Sequence, residues 1–231
     1  MKLSSIKGLA LAAAVSALCL PAHAAVTQLS SASQLNSGDV VVTIPGADQS
    51  MPASPLTVQQ GDNTLTFTAA GGSFFRQNSD GTNFDFAAGT PLLETNSGGS
   101  FATATGPLTL SFSRGVTEFG LQAQDFAPDN EIFNFTVDSQ SGTQMFTTGT
   151  LDNTSGQGMA AFIGAAGTPT DLISSVTVSS VSDQIGASND FLTGNVTVPV
   201  PEPSSTAALC LGAAGLLGLV FARKRAQSPT A

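Results

Sequence analysis

The sequence predicts an all-β body, a sandwich or a barrel, and three observations carry that expectation. Apolar residues alternate with Thr, Ser and Asn over short runs, the pattern of a strand with one buried face. Turn signals rich in Gly, Asp, Asn and Pro recur about every 8–12 residues. No window of the body carries an apolar stripe at the helical period. No fixed-period repeat is present either, which argues against a solenoid or a propeller.

Taken in order, the chain opens with Lys2 and Lys7, an apolar run Gly8–Leu20, Pro21 and Ala22-His23-Ala24. These are the three parts of a secretory signal peptide over 1–24, with cleavage between Ala24 and Ala25. Cys19 does not make a lipidation site, because Leu18 before it is too large for the small residue such a site requires. Residues 25–38 are polar with spaced apolar positions and carry no clear element. Val40–Ile44 is β-branched and predicts a strand; 46–55 is a Pro-punctuated loop. Leu65, Phe67 and Ala69 alternate with Thr64, Thr66 and Thr68, and Phe74-Phe75 begins a further strand after Gly71-Gly72. Asp80-Gly81 is a hairpin-turn signal ahead of Phe84 and Phe86. Leu108/Leu110/Phe112, Phe119/Leu121/Ala123 and Phe133/Phe135/Val137 then alternate with polar residues, and Ser141-Gly142 turns the chain into 145–150. Further strands are predicted over 160–165, 173–179 and 191–198.

Charge and residue usage exclude more than they suggest. Of the seven cations only Arg76 and Arg114 lie in residues 25–203, whereas all sixteen carboxylates do, so the exported part carries a charge of −14. Such a field disfavours nucleic acid. The one histidine, His23, leaves with the signal peptide, both cysteines (Cys19 and Cys210) lie in terminal apolar runs, and Tyr and Trp are absent. A Ser-His-Asp or Cys-His triad, a His-ligated zinc site and lysine Schiff-base chemistry therefore have no residues to use. Arg76 and Arg114 are expected in surface or rim ion pairs. Carboxylate chemistry remains open. Asp125, Asp129 and Glu131, with Asn130 beside them, and Asn189/Asp190 offer the oxygen ligands that a structural Ca²⁺ takes. The same acids could serve as a glycosidase pair or simply as turn residues.

The C-terminal thirty residues form a second address. Pro199, Pro201 and Pro203 hold Val198–Pro203 extended, and Ser204, Ser205 or Thr206 can cap a helix beginning there. Thr206–Ala222 lacks charge, Asn, Gln and Pro. At 1.5 Å per residue it would span roughly 26 Å as a helix, near the ~30 Å of a bilayer core. Arg223-Lys224-Arg225 then predicts a short cytoplasmic tail. The alternative is a buried helix of a soluble fold, but a terminal apolar run closed by three cations has no core to enter.

Val200-Pro201-Glu202-Pro203, a Ser-rich step, the apolar Gly/Leu run and Arg223-Lys224-Arg225 together resemble the PEP-CTERM sorting signal of exported Gram-negative bacterial proteins. The resemblance implies a membrane-embedded exosortase as partner, cutting near Pro-Glu-Pro, with inner-membrane anchoring before processing. Afterwards it implies a place at the cell surface or in an extracellular matrix, associated with exopolysaccharide or biofilm. Pro91–Asn96, Gly106–Phe112, Val116–Gln122, Phe162-Ile163-Gly164 and Asn189-Asp190-Phe191 resemble the family's common ectodomain, which is similar to jelly-roll sandwiches of the carbohydrate-binding kind. That ectodomain usually has an acidic residue where this chain has Thr193 or Gly194. The expectation is thus a signal peptide (1–24), a jelly-roll-like antiparallel β-sandwich (25–198) and a sorting signal (199–231) with one transmembrane helix. The expected function is non-enzymatic and without a cofactor; a carbohydrate-binding module, with or without calcium, is the alternative.

Overall fold

The computed structural model describes residues 26–69, 72–82, 85–95, 106–125, 132–149, 160–181 and 191–199. In chain order its strands are β1 (Thr27–Leu29), β2 (Val40–Val42), β3 (Leu56–Gln60), β4 (Asn63–Ala69), β5 (Phe75–Asn78), β6 (Pro91–Glu94) and β7 (Leu108–Val116). They continue as β8 (Glu118–Asp125), β9 (Phe133–Ser139), β10 (Gly142–Thr147), β11 (Ala161–Ala166), β12 (Ile173–Ser180) and β13 (Phe191–Val198). One sheet runs β1-β11-β8-β13-β6-β5 with β2 also on β13; the other runs β10-β9-β12-β7-β4-β3. Every pairing between these strands is antiparallel.

The period-2 pattern explains why the sheets close on each other. Leu65 and Phe67 on β4, Leu108, Leu110 and Phe112 on β7, and Phe133, Phe135 and Val137 on β9 all face inward. They meet Phe119, Leu121 and Ala123 on β8, Ile163 on β11, and Phe191 and Val196 on β13 in a single buried cluster. Phe112 and Phe119 touch across the sheets with ring centroids 6.5 Å apart, and Phe133 meets Phe191 edge-on at 5.5 Å. The Thr and Ser residues between them look outward, with Thr109 and Thr177 hydroxyls bonded at 3.0 Å across β7 and β12.

Where the two sheets come together at β1 and β10, glutamines close the edge. Gln28 Nε2 donates to the Thr147 carbonyl at 3.0 Å. The Gln144 amide, oriented to satisfy both partners, donates to Val26 O at 2.8 Å and accepts from Val26 N at 3.1 Å. These bonds occupy backbone groups that an open strand edge would offer to another chain.

Several elements and side chains differ from the sequence-based expectation. β1, β3 and β6 are strands that short, poorly alternating segments did not announce, and residues 32–34 form one 3₁₀ turn. Asp80-Gly81 is not a tight turn into a strand at Phe86, although β5 and β6 on either side of it do pair as an antiparallel hairpin. Gly81 does adopt φ +74°, but it lies within a long connection between β5 and β6, tied at its base by Ser79 N donating to Thr90 O. Phe86 is therefore no strand residue. It packs with Leu92, Ala160 and Leu192 in a small cluster on the outer face of the seven-stranded sheet. Arg114 makes the expected exposed pair with Asp62 at 3.3 Å. Arg76 also makes an ion pair, with the half-exposed Asp48 at 3.6 Å, but its own side chain is only 8% exposed where a surface or rim position was expected. Its strand position pairs with Leu93 of the main core, so its stem is drawn inward beneath the 46–50 loop. No helix among the described residues is long and apolar enough to cross a membrane; the expected signal peptide and the expected span at 206–222 lie outside them.

Replacing Phe119 with Ala removes the ring that bridges both sheets and leaves a cavity, and is expected to cost about 3–5 kcal/mol. Urea unfolding checks this; a loss below about 1 kcal/mol would mean that the inter-sheet contact is not what holds the sandwich closed.

Candidate functional site

The place where the body hands over to the C-terminal signal is the end of β13. This strand is paired on both flanks. Thr193 and Gly194 face Ala123 and Gln122 of β8 on one side and Leu93 and Leu92 of β6 on the other. Its last residues, Val196–Val198, pair with Val42–Val40 of β2, and Thr197 also pairs with Gly120 of β8. Val196 is fully buried and Val198 is 1% exposed. Pro199 follows and is the last described residue; Val200, Pro201, Glu202, Pro203, Arg223, Lys224 and Arg225 lie outside, as do Ala22, Ala24 and Ala25 of the signal cleavage site.

Beside this exit sits a carboxyl pair that no local motif announced. Glu118, the first residue of β8, is 4% exposed and accepts a hydrogen bond from the Asn36 side-chain amide. Asp39, immediately before β2, donates its backbone N–H to the Asn36 carbonyl at 3.0 Å. Its Oδ2 is buried without a hydrogen-bond partner. Burial pushes the Glu118 carboxyl above its ordinary range, and the negative charge of Asp39 pushes it further the same way. Burial likewise raises Asp39, partly offset by a backbone hydrogen bond at Asn36. The sequence hides this pair because Asn36 and Glu118 are 82 positions apart. Among the described residues no three His, Cys, Asp or Glu side chains gather as a metal centre.

The other end of the same sheet carries the acids singled out from sequence. Asp125 ends β8 and is paired with Phe191, the first residue of β13. Asp129, Glu131, Asn189 and Asp190 lie outside the described residues. Glu94, opposite Leu192 of β13, is a buried acid at this end that sequence spacing did not single out as a metal ligand. Thr193 and Gly194 are closed to any surface role. Thr193 is fully buried, and a Cβ at Gly194 would meet Leu92 at 3.0 Å and Phe86 at 3.2 Å. An acidic side chain would bury its charge at Thr193 and would start from an already tight Cβ at Gly194.

On the outer face of this sheet, Phe162 lies across a cross-strand glycine pair, Gly164 of β11 opposite Gly120 of β8. A Cβ at Gly120 would sit 2.8 Å from the ring, and one at Gly164 2.6 Å. The ring is half-buried and pairs with Gln122, whose Oε1 accepts from Asn195 Nδ2 at 2.7 Å. Asn195 takes a left-handed φ of +48°, which turns its amide toward that neighbour.

Comparison with known proteins adds one firm match. Residues 199–225 match the family described as the PEP-CTERM protein-sorting motif. No curated protein matches the chain. Among solved structures it is similar to the CBM22-1-GH10 modules of Clostridium thermocellum xylanase 10B, at 13% identity and a TM-score of 0.30. There it covers 67% of this chain and 29% of that one. It is also similar to a family 11 carbohydrate-binding module from the same organism, at 11% identity and a TM-score of 0.23, covering 75% and 95%. Likenesses at these scores bear on neither ligand nor activity.

The carboxyl pair gives a signed pH prediction. Both folded-state values are raised, so the folded protein holds protons that the unfolded chain has released. The contribution of this pair to stability is then greatest below the ordinary carboxylate value and is lost as pH rises through the raised values. Glu118→Gln keeps an acceptor for Asn36 and removes the charge. It is expected to unfold at higher urea than the parent at pH 7 and at the same urea near pH 3. A variant no more stable at pH 7 would contradict the assignment.

Proposed function

Because this chain carries a PEP-CTERM protein-sorting motif, which marks an exported protein sorted to the cell envelope or surface, we propose that it is a non-enzymatic surface or matrix protein of a Gram-negative bacterium. In this reading the signal peptide exports the body, and the 206–222 run holds it in the inner membrane. An exosortase then cuts near Pro201-Glu202-Pro203, releasing a jelly-roll-like sandwich that associates with exopolysaccharide or biofilm. The observation that carries the proposal is the junction itself. The matched motif starts at residue 199, directly after β13 completes the sheet, so the body and its address do not overlap. Residue usage supports the same division. Every lysine and both cysteines fall in the terminal segments, and an acidic body without His, Lys, Cys, Tyr or Trp favours solubility over catalysis.

Fusing residues 199–231 to a periplasmic reporter tests the address. The reporter is expected to be shortened and sorted in a host that has an exosortase, and to stay full-length and membrane-bound in one that lacks it. Identical processing in both hosts would overturn the reading.

A carbohydrate-binding role is the second reading, favoured by the Phe162 ring lying across two glycines with the Gln122 and Asn195 amides at its side. Aromatic rings with amides beside them supply the stacking face and polar grip that a sugar takes. Affinity-gel electrophoresis against purified exopolysaccharide checks it. Retardation of the exported body that Phe162→Ala lowers about tenfold supports binding; equal mobility of parent and variant, with and without calcium, removes it.

A further inference from the structure

The end of β13 leaves almost no free chain between the folded body and the Pro-Glu-Pro segment. Val198 is still paired with Val40, and only Pro199 and Val200 separate it from Pro201. Three peptide units reach at most about 11 Å even when fully extended. Pro199 and Pro201 fix φ near −65°, so this stretch is stiff. A single body built from residues 26–199 has a radius of gyration of roughly 16 Å by size scaling, wider than the tether is long. Anything that grips Pro201-Glu202-Pro203 must therefore come against the end of the sandwich.

The tether cannot lengthen by fraying. Releasing Val196–Val198 would break their pairing with β2 and the Thr197–Gly120 pairing with β8 together, and would expose two valines that are now buried.

We propose that the folded body acts as a built-in brake on its own processing: the short, stiff tether at the end of β13 makes the sandwich hinder approach of the membrane-embedded processing partner to Pro201-Glu202-Pro203. This inference rests on the sorting reading above and adds to it which part of the exported body sets the rate. Cleavage would be slow once the sheet has closed, so each molecule stays anchored after folding for a time that the tether length sets.

The test inserts a ten-residue Gly-Ser spacer between Pro199 and Val200 of the full chain, which adds a flexible reach of about 17–19 Å. Both chains are expressed in a host containing an exosortase, and tail removal is followed by pulse-chase. The spacer chain is expected to lose its tail about tenfold faster, with the thermal unfolding of the body unchanged. Equal rates overturn the brake alone, and so does slower cutting of the spacer chain, which would mean that the body's end assists the partner. Absence of any cut in both chains overturns the sorting reading and this inference with it.

Discussion

Everything in this structure depends on two sheets being pressed together by phenylalanine. The exported body has no cysteine to form a disulfide, and its main core is lined by Phe67, Phe74, Phe119, Phe133, Phe135 and Phe191, all essentially without solvent exposure. The edge-on contact of Phe133 with Phe191 and the tilted contact of Phe112 with Phe119 tie β9 and β7 of one sheet to β13 and β8 of the other. Such pairs contribute beyond their buried area, and they fix how the sheets face each other. Among the described residues, polar side chains including Arg76, Asp85, Glu94, Glu118 and Asp171 are buried as well, and the sheet edges at β1 and β10 are tied by glutamine amides to backbone.

That core explains why β13 matters to function as well as to stability. Among the described strands it is the last in sequence and one of the most central in space, flanked by β8 on one side and by β6 and β2 on the other. The sheet is incomplete until this strand is added, and the strand runs straight into the sorting motif at residue 199. Folding of the body and exposure of the address are thereby adjacent events along the chain. The Asp39–Glu118 pair beside the exit adds a local electrostatic cost at neutral pH, the kind of strained feature that gathers near functional positions more often than elsewhere.

Most of the fold could be read from the sequence because its information is local. Where apolar and hydroxyl residues alternate cleanly, as in β4, β7, β8 and β9, side-chain period alone sets the buried face, and β13 begins and ends at the residues expected. Of the strands that escaped notice, β3 is an edge strand paired with its sequence neighbour β4, whereas β1 and β6 are short segments held by partners far away in sequence, β11 across 27↔166 and β13 across 93↔193. Asp80-Gly81 misled for the same reason. The left-handed backbone that the dipeptide favours is present at Gly81, but the strand expected after it was outcompeted by packing of Phe86 against Leu92 and Leu192. Arg76 was misplaced because charge alone says nothing about a loop closing over it. Of the candidate site, the sorting signal was legible as three ordered parts. The Asn36, Asp39 and Glu118 cluster was not, since only the register of β8 against β11 and β13 brings Glu118 to the chain's exit.

The central claim is that the body ends where β13 ends and that residues beyond it are an address. Intact-mass spectrometry of the protein recovered from the surface or matrix of an exosortase-containing host tests this most directly. The account predicts a chain that starts at Ala25, retains all of β13 through Val198, and lacks the 206–231 segment. A recovered mass that includes Arg223-Lys224-Arg225, or a C-terminus falling inside Phe191–Val198, would contradict it.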